Sequence, residues 1–224
     1  MDPFVPPLVF AVVLGVVWYG FSAAMLGKST ILVLFLVAYG LLTALALWRM
    51  WRDGTLLDLF RFRSGDIALG AAVALFLGGT TFVGRQVLAP RGSPGDALVM
   101  RLYAQLGELP EARGKLILVS VGVAVVAVLE EIVWRGLVQQ VLEERLGVKK
   151  GWLGTAALYA LAHVPSVWLL AMPGAGKNPL VLMAAAFCGV VWGFLVGRMQ
   201  RLPPALISHA VFTYGMAVQF RLWP

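Results

Sequence analysis

The stretch LILVSVGVAVVAVLEEIVWRGLVQQVL, residues 116–142, decides the fold class, because it is a long apolar run. It also carries charged residues near its middle. A helix needs roughly 20 mostly apolar residues to cross a bilayer. Inside the bilayer only helices and closed barrels satisfy their own backbone polar groups. Residues 116–142 therefore predict a membrane-spanning helix, and the charged side chains within it need a separate explanation.

The rest of the chain repeats this apolar character. Of its 224 residues, 60% are hydrophobic and 13% are charged, whereas a soluble domain is nearer half apolar and a quarter charged. We expect a single integral-membrane domain over 1–224, because no long polar stretch divides it. Seven apolar runs predict an all-α, polytopic transmembrane bundle of about seven helices, at about 7–26, 30–48, 67–88, 116–142, 152–171, 179–198 and 203–221.

The long connection 89–115 predicts one further, amphipathic helix. Ser93 can act as its N-cap, with Pro94 at the first helical position and Asp96 at the third. Leucines then follow at helical spacing, at Leu98, Leu102, Leu106 and Leu109. We expect this helix to lie along the membrane surface, and a loop without helix is the alternative.

The basic residues of the chain indicate orientation rather than a nucleic-acid partner. The formal net charge is +7, and the Lys and Arg residues lie mostly in short connections, where positive charge marks the cytoplasmic side. The connections after the second, fourth and sixth runs are the most basic, so we expect a cytoplasmic N-terminus. The absence of a clustered basic face excludes nucleic-acid binding. Arg outnumbers Lys in an Ala-, Gly- and Val-rich chain, which favours a prokaryotic inner or plasma membrane.

Three charged residues lie deep in an apolar run, namely Glu130, Glu131 and Arg135. Each charge costs at least roughly 2.5–3.5 kcal/mol at the centre of a membrane helix. Glu131 and Arg135 are four residues apart and predict an ion pair on one helix face. Glu130 projects about 100° away from them and has no local partner, so its carboxylate is a candidate general base. The alternative is an ion-pair cluster that only fixes helix packing.

Both histidines of the chain, His163 and His209, also lie in apolar runs. Tyr159 precedes His163 by four residues and Thr213 follows His209 by four, so each pair shares a helix face. Membrane bundles build sites from side chains on facing helices. Thr213 and His209 form a candidate donor pair for an oxyanion, although Tyr159 could simply pack and Thr213 could bond its own backbone.

Three short segments in order, EEIVWR (130–135), YALAH (159–163) and HAVFT (209–213), resemble the motifs of the CPBP intramembrane proteases. This group includes the type II CAAX prenyl endopeptidases and the bacterial Abi proteins. The resemblance covers about residues 116–215, which would be the catalytic core. It implies a membrane-embedded glutamate protease that needs no metal or other cofactor and acts on a membrane-anchored protein or peptide. A position in the myxosortase branch, which cuts C-terminal sorting signals, would fit a prokaryotic chain.

The resemblance also implies roles for individual residues. Glu130 would be the general base and His163 would hold and activate the water. His209 and Thr213 would stabilise the oxyanion, and a supporting set would hold the site, namely Glu131, Arg135 and Tyr159. Thr213 departs from the Asn that is usual at its position, but a hydroxyl also donates one hydrogen bond.

Several other functions compete with this interpretation. A zinc protease remains open, because two His and two Glu form a ligand set, although HExxH is absent. A serine protease is disfavoured, since Ser208 is adjacent to His209 and neighbouring helix positions point apart. An aspartyl protease is disfavoured, because it would need two aspartates inside the membrane and none lies within an apolar run. A transporter with a buried proton relay and a non-catalytic scaffold stay as alternatives.

Overall fold

The computed structural model describes residues 3–107 and 116–219 as an all-α bundle. No β-strand occurs within these two ranges. Two π-helical segments, Ile132–Val138 and Gly215–Gln219, extend helices, and a 3₁₀ turn lies at Ala23–Met25. In chain order the helices are α1 (Val5–Gly20), α2 (Thr30–Arg52), α3 (Leu56–Leu59), α4 (Asp66–Leu88), α5 (Pro94–Gln105), α6 (Leu116–Glu131), α7 (Gln139–Leu146), α8 (Val148–Ala162), α9 (Ser166–Leu169), α10 (Leu180–Met199) and α11 (Pro203–Tyr214).

The predicted all-α membrane bundle is confirmed. Four helices are long and apolar enough to cross a membrane, at Thr30–Arg52, Asp66–Leu88, Ile117–Leu146 and Leu180–Met199. The other three predicted spans correspond to the shorter helices α1, α8 and α11, of 16, 15 and 12 residues. The end of the last predicted run, beyond residue 219, lies outside the described residues.

The helix predicted in the connection 89–115 is present as α5. Ser93 Oγ accepts from the Asp96 backbone N–H at 3.2 Å, as the capping pattern predicts. Gln105 Nε2 donates to the Gly20 carbonyl at 2.9 Å, and this bond ties α5 to the end of α1. Leu109 lies outside the described residues, and the position of α5 along the membrane surface stays a prediction.

The prediction of one continuous helix over 152–171 is wrong. Helix α8 ends at Ala162, and the short α9 begins only at Ser166. Pro165 explains the break, because it lacks an N–H and disfavours helical geometry at the residue before it. Ser166 Oγ donates to the His163 carbonyl at 2.7 Å. His163 therefore lies at the C-terminal end of α8.

Helix α6 occupies the centre of the bundle, with α2 on one side and α11 on another. Helix α11 also packs against α4, and α8 packs against both α7 and α10. Small residues let these backbones approach closely; a Cβ added at Gly70 would lie 2.8 Å from Ile207 Cβ. The packing brings α2, α11 and the end of α8 around the charged end of α6.

Candidate active site

The site is centred on the last two residues of α6 and on the π-helical segment that follows. Glu131 is fully buried and Glu130 is 8% exposed. All seven residues of the segment Ile132–Val138 are buried. Short π-helical stretches are rare and occur often at functional sites. The charged residues that the sequence singled out thus lie inside the bundle and beside an irregular turn.

Glu131 holds two basic side chains on one oxygen. Arg135 Nη1 lies 3.0 Å from Glu131 Oε1, with both side chains fully buried, which confirms the predicted ion pair. His209 Nδ1 lies 3.0 Å from the same oxygen. An ionised carboxylate only accepts hydrogen bonds, so His209 Nδ1 carries a proton. Nε2 of His209 is left facing the neighbouring Glu130.

Arg135 is fixed on its other sides by α8 and α10. Its guanidinium carbon lies 4.7 Å from the centre of the Tyr159 ring, a distance at which a cation is attracted to the ring face. Its Nη2 donates to the Gly189 carbonyl at 3.3 Å. Tyr159 therefore contacts the basic partner of Glu131, which agrees with its predicted position beside the site.

Glu130 has a different partner on each oxygen. The Tyr39 hydroxyl donates to Oε1 at 2.7 Å. Oε2 lies 3.7 Å from His209 Nε2, too far for a direct hydrogen bond. Tyr39 comes from α2, and the sequence interpretation missed it. Nothing in the apolar run 30–48 sets this tyrosine apart from one that only packs.

One ring nitrogen of His163 is bonded to the backbone of its own helix. Its Nδ1 lies 2.8 Å from the Tyr159 carbonyl. A carbonyl only accepts, so Nδ1 donates and Nε2 keeps a free lone pair. The His163 and Tyr159 ring centres are 4.8 Å apart. Tyr159 thus connects His163 to Arg135, and the first two sequence motifs meet through it.

The third motif is brought to the same place by α11. The His209 ring stacks on Trp192, with centroids 3.8 Å apart and planes 24° apart. Trp192 Nε1 also donates to Ser208 Oγ at 3.1 Å. Thr213 is half-buried, and its role beside His209 stays a prediction.

The acidic and histidine side chains of the site are also its candidate metal ligands. Within residues 3–107 and 116–219, no group of three or more His, Cys, Asp or Glu side chains is arranged to hold a metal ion. The donors that would form a zinc set are instead bonded to other protein groups: Glu131 to Arg135, and Glu130 to Tyr39. These contacts show how the carboxylates are held in this structure.

Residues 112–215 match the model of a protein family described as type II CAAX prenyl endopeptidase Rce1-like. These residues, just under half of the chain, are similar to the Rce1-like family. The match covers all three motifs and confirms the predicted resemblance to CPBP proteases. Together with the four apolar helices, it indicates an integral membrane protein of a protease family. No curated protein and no solved structure matches the chain, and membership of the myxosortase branch stays a prediction.

The Rce1-like segment does not contain the whole site. Tyr39, which bonds Glu130, lies in α2 and outside the matched residues 112–215. Trp192 lies within the match but outside the three motifs, and its ring covers one face of His209. Both were missed from sequence, since aromatic residues in apolar runs are most often packing residues.

Proposed function

We propose that this protein is an intramembrane endopeptidase of the glutamate type, which hydrolyses a peptide bond in or near a membrane-associated protein segment. The observation that carries the proposal is the geometry of Glu130. One of its oxygens is bonded to Tyr39, and the other faces His209 Nε2 at 3.7 Å with no direct bond between them. A buried carboxylate with one oxygen held and one open is suited to accept a proton from water.

The proposed reaction begins with a water molecule between Glu130 and His163. Glu130 Oε2 and His163 Nε2 are both acceptors, so they can bind the two hydrogens of one water and direct its lone pair outward. As the water oxygen attacks the substrate carbonyl carbon, Glu130 takes one proton. Glu130 later gives this proton to the leaving amine, and the two products separate with the carboxylate restored.

His209 would stabilise the negative oxygen of the tetrahedral intermediate. Its Nδ1 already donates to Glu131, so Nε2 becomes a donor when the ring carries two protons. In that state the charges of Glu130, Glu131, Arg135 and His209 sum to zero, which suits a buried cluster. The Thr213 hydroxyl, one helical turn further along α11, would be the second donor. Glu131, Arg135 and Tyr159 would hold this arrangement.

The substrate class follows from the family and from the location of the site. The matching family is described by its action on CAAX prenyl proteins, and we propose a membrane-anchored protein or peptide as substrate here. A prokaryotic chain makes a C-terminal sorting signal of the myxosortase type the first substrate to test, before prenylated peptides. Part of the same proposal is that 1–224 is one domain, with a catalytic core over 116–215 and a cytoplasmic N-terminus.

The proposal is tested by cleavage of membrane-anchored peptides in detergent micelles. The panel contains sorting-signal peptides and farnesylated CAAX peptides, and the enzymes are wild type, Glu130→Gln and Glu143→Gln, each with and without chelator. We expect wild type and Glu143→Gln to cleave and Glu130→Gln to be inactive, with no effect of chelator. Loss of cleavage on chelation would favour a zinc protease. Inactivity of wild type on every peptide would favour a transporter or a scaffold.

A further inference from the structure

Tyr39 connects the N-terminal part of the bundle to a carboxylate oxygen of the proposed site. It lies on α2 and is 1% exposed. Its hydroxyl donates to Glu130 Oε1 at 2.7 Å. The Tyr39 hydroxyl oxygen also accepts from Trp134 Nε1 at 3.3 Å. The buried Tyr39 hydroxyl thus donates one hydrogen bond and accepts one.

The direction of these bonds is fixed by the indole. Trp134 Nε1 can only donate, so the Tyr39 oxygen is the acceptor in that pair. The single phenolic proton is then directed at Glu130. Because hydrogen bonds to charged groups are roughly twice as strong as neutral ones, Glu130 Oε1 is firmly held in one place.

Two further contacts lie beside Tyr39 on α2. Its ring stacks on Phe35 of the same helix, with centroids 6.4 Å apart and planes 27° apart. One turn further along α2, Thr43 Oγ1 donates to the Leu129 carbonyl at 3.3 Å. This second bond fixes α2 against the end of α6, immediately before Glu130.

We infer that Tyr39 is a positioning residue for Glu130. By occupying Oε1, it leaves Oε2 on the side of the carboxylate that faces His209 Nε2, free to bind the water that Glu130 and His163 would activate. The inference rests on the proposed function, since it assigns Tyr39 to the reaction that Glu130 carries out. It also extends the site beyond the family-matched residues 112–215, because α2 supplies the group that orients the general base.

The test compares two variants that each delete one hydrogen bond from α2 to α6. Tyr39→Phe removes the bond to the carboxylate and keeps the ring, whereas Thr43→Val removes the bond to a backbone carbonyl and keeps the shape. We expect Tyr39→Phe to lower kcat by about 10- to 100-fold with KM nearly unchanged. We expect Thr43→Val to keep kcat within about twofold. Equal kcat losses in the two variants would reduce Tyr39 to a packing residue.

Glu130→Gln in the same assay separates the two possible failures. If Glu130→Gln is fully active, the proposed function itself is wrong. If Glu130→Gln is inactive and Tyr39→Phe has wild-type kcat, only the positioning role is wrong.

A measurement that needs no substrate accompanies the kinetics. The Tm loss caused by Tyr39→Phe is measured in wild type and in Glu130→Ala, as a double-mutant cycle. We expect the loss to be smaller in Glu130→Ala, because the acceptor is already gone. Equal losses in the two backgrounds would show that the two side chains are not coupled.

Discussion

Two polar clusters that contain buried carboxylates lie on one continuous helix formed by α6, the π-helical segment and α7. The first contains Glu130 and Glu131, and the second contains Glu143. In the first cluster Glu130 and Glu131 are bonded to a phenol, a guanidinium and an imidazole, from Tyr39, Arg135 and His209. These partners carry charge or exchange protons. The cluster is therefore equipped to move a proton and to balance the charge that results.

In the second cluster, two side-chain amides donate to Glu143. Its Oε1 accepts from Gln139 Nε2 at 2.6 Å and its Oε2 accepts from Gln200 Nε2 at 3.2 Å. Both carboxylates in question are 8% exposed, at Glu130 and at Glu143. Burial alone therefore does not distinguish the two carboxylates. Their partners distinguish them, because the amides that bond Glu143 cannot take or release a proton at ordinary pH.

Removing each carboxylate in turn tests the different roles of the two clusters most directly. We expect Glu130→Ala to abolish peptide cleavage, because the proposed base is gone, while the folded protein is retained. We expect Glu143→Ala to keep cleavage and to lower Tm, because it removes one of the two acceptors of the buried Gln139 amide. Cleavage rate and Tm are measured on the same purified samples. Reversed results would exchange the roles of the two clusters.

Removing Glu131 should affect both activity and stability. Glu131→Ala leaves Arg135 buried without its carboxylate, and breaking a buried pair in this way costs roughly 3–5 kcal/mol. It also frees His209, whose Nδ1 is held by Glu131. We expect a large fall in Tm together with a fall in kcat, measured by thermal unfolding and by cleavage of the same peptide. A normal Tm would show that Arg135 finds another partner.

The hydroxyl at position 213 is expected to contribute less than the carboxylates. Loss of one oxyanion donor typically costs about 10²–10³ in kcat, and Thr213→Ala should lie at the lower end, because His209 remains. Thr213→Asn, which restores the residue usual in the family, should be at least as active as wild type. Both are measured as kcat under saturating peptide. Wild-type kcat in Thr213→Ala would remove Thr213 from the proposed site.

The smallest expected effect is a change of stability in the second cluster alone. A Cβ added at Gly151 would lie 2.5 Å from Glu143 Cα and backbone N, whereas at Gly154 it would meet only Leu142 Cδ1 at 3.5 Å. We expect Gly151→Ala to destabilise by about 1–3 kcal/mol, as overpacking does. Gly154→Ala, on the same helix, is the matched control and should be close to neutral. Tm is the measurement, and equal values for the two variants would contradict this packing.

The features that were predictable from sequence are local ones. The pair Glu131–Arg135 was predictable because residues four apart on a helix meet, and the cap at Ser93 because it depends on three adjacent positions. The apolar runs predicted the class of fold for a similar reason, since each helix satisfies its own backbone. Pro165 is a local signal for the helix break, but the apolar composition of the run 152–171 predicts one continuous helix.

The remaining features depend on contacts between distant parts of the chain. Tyr39 and Glu130 are 91 residues apart, and no pattern in either run links them. Glu143 directly follows the apolar run 116–142, and nothing in the sequence there indicates that it is buried. Its burial comes from Gly151 and Gln200, which the fold brings against it. The π-helical segment has no sequence signal of its own, because its wide turn is decided by the packing around it.

The π-helical segment Ile132–Val138 sets the rotation of everything that follows it. A π turn holds about one residue more than an α turn. Deleting one residue there would restore a regular α-helix and leave α7 with nearly its present rotation relative to α6, whereas deleting one residue from a regular α turn rotates the helix beyond it by about 100°. Glu143 would then still face Gln200. The wide turn is therefore a place where this helix accommodates a change in its length.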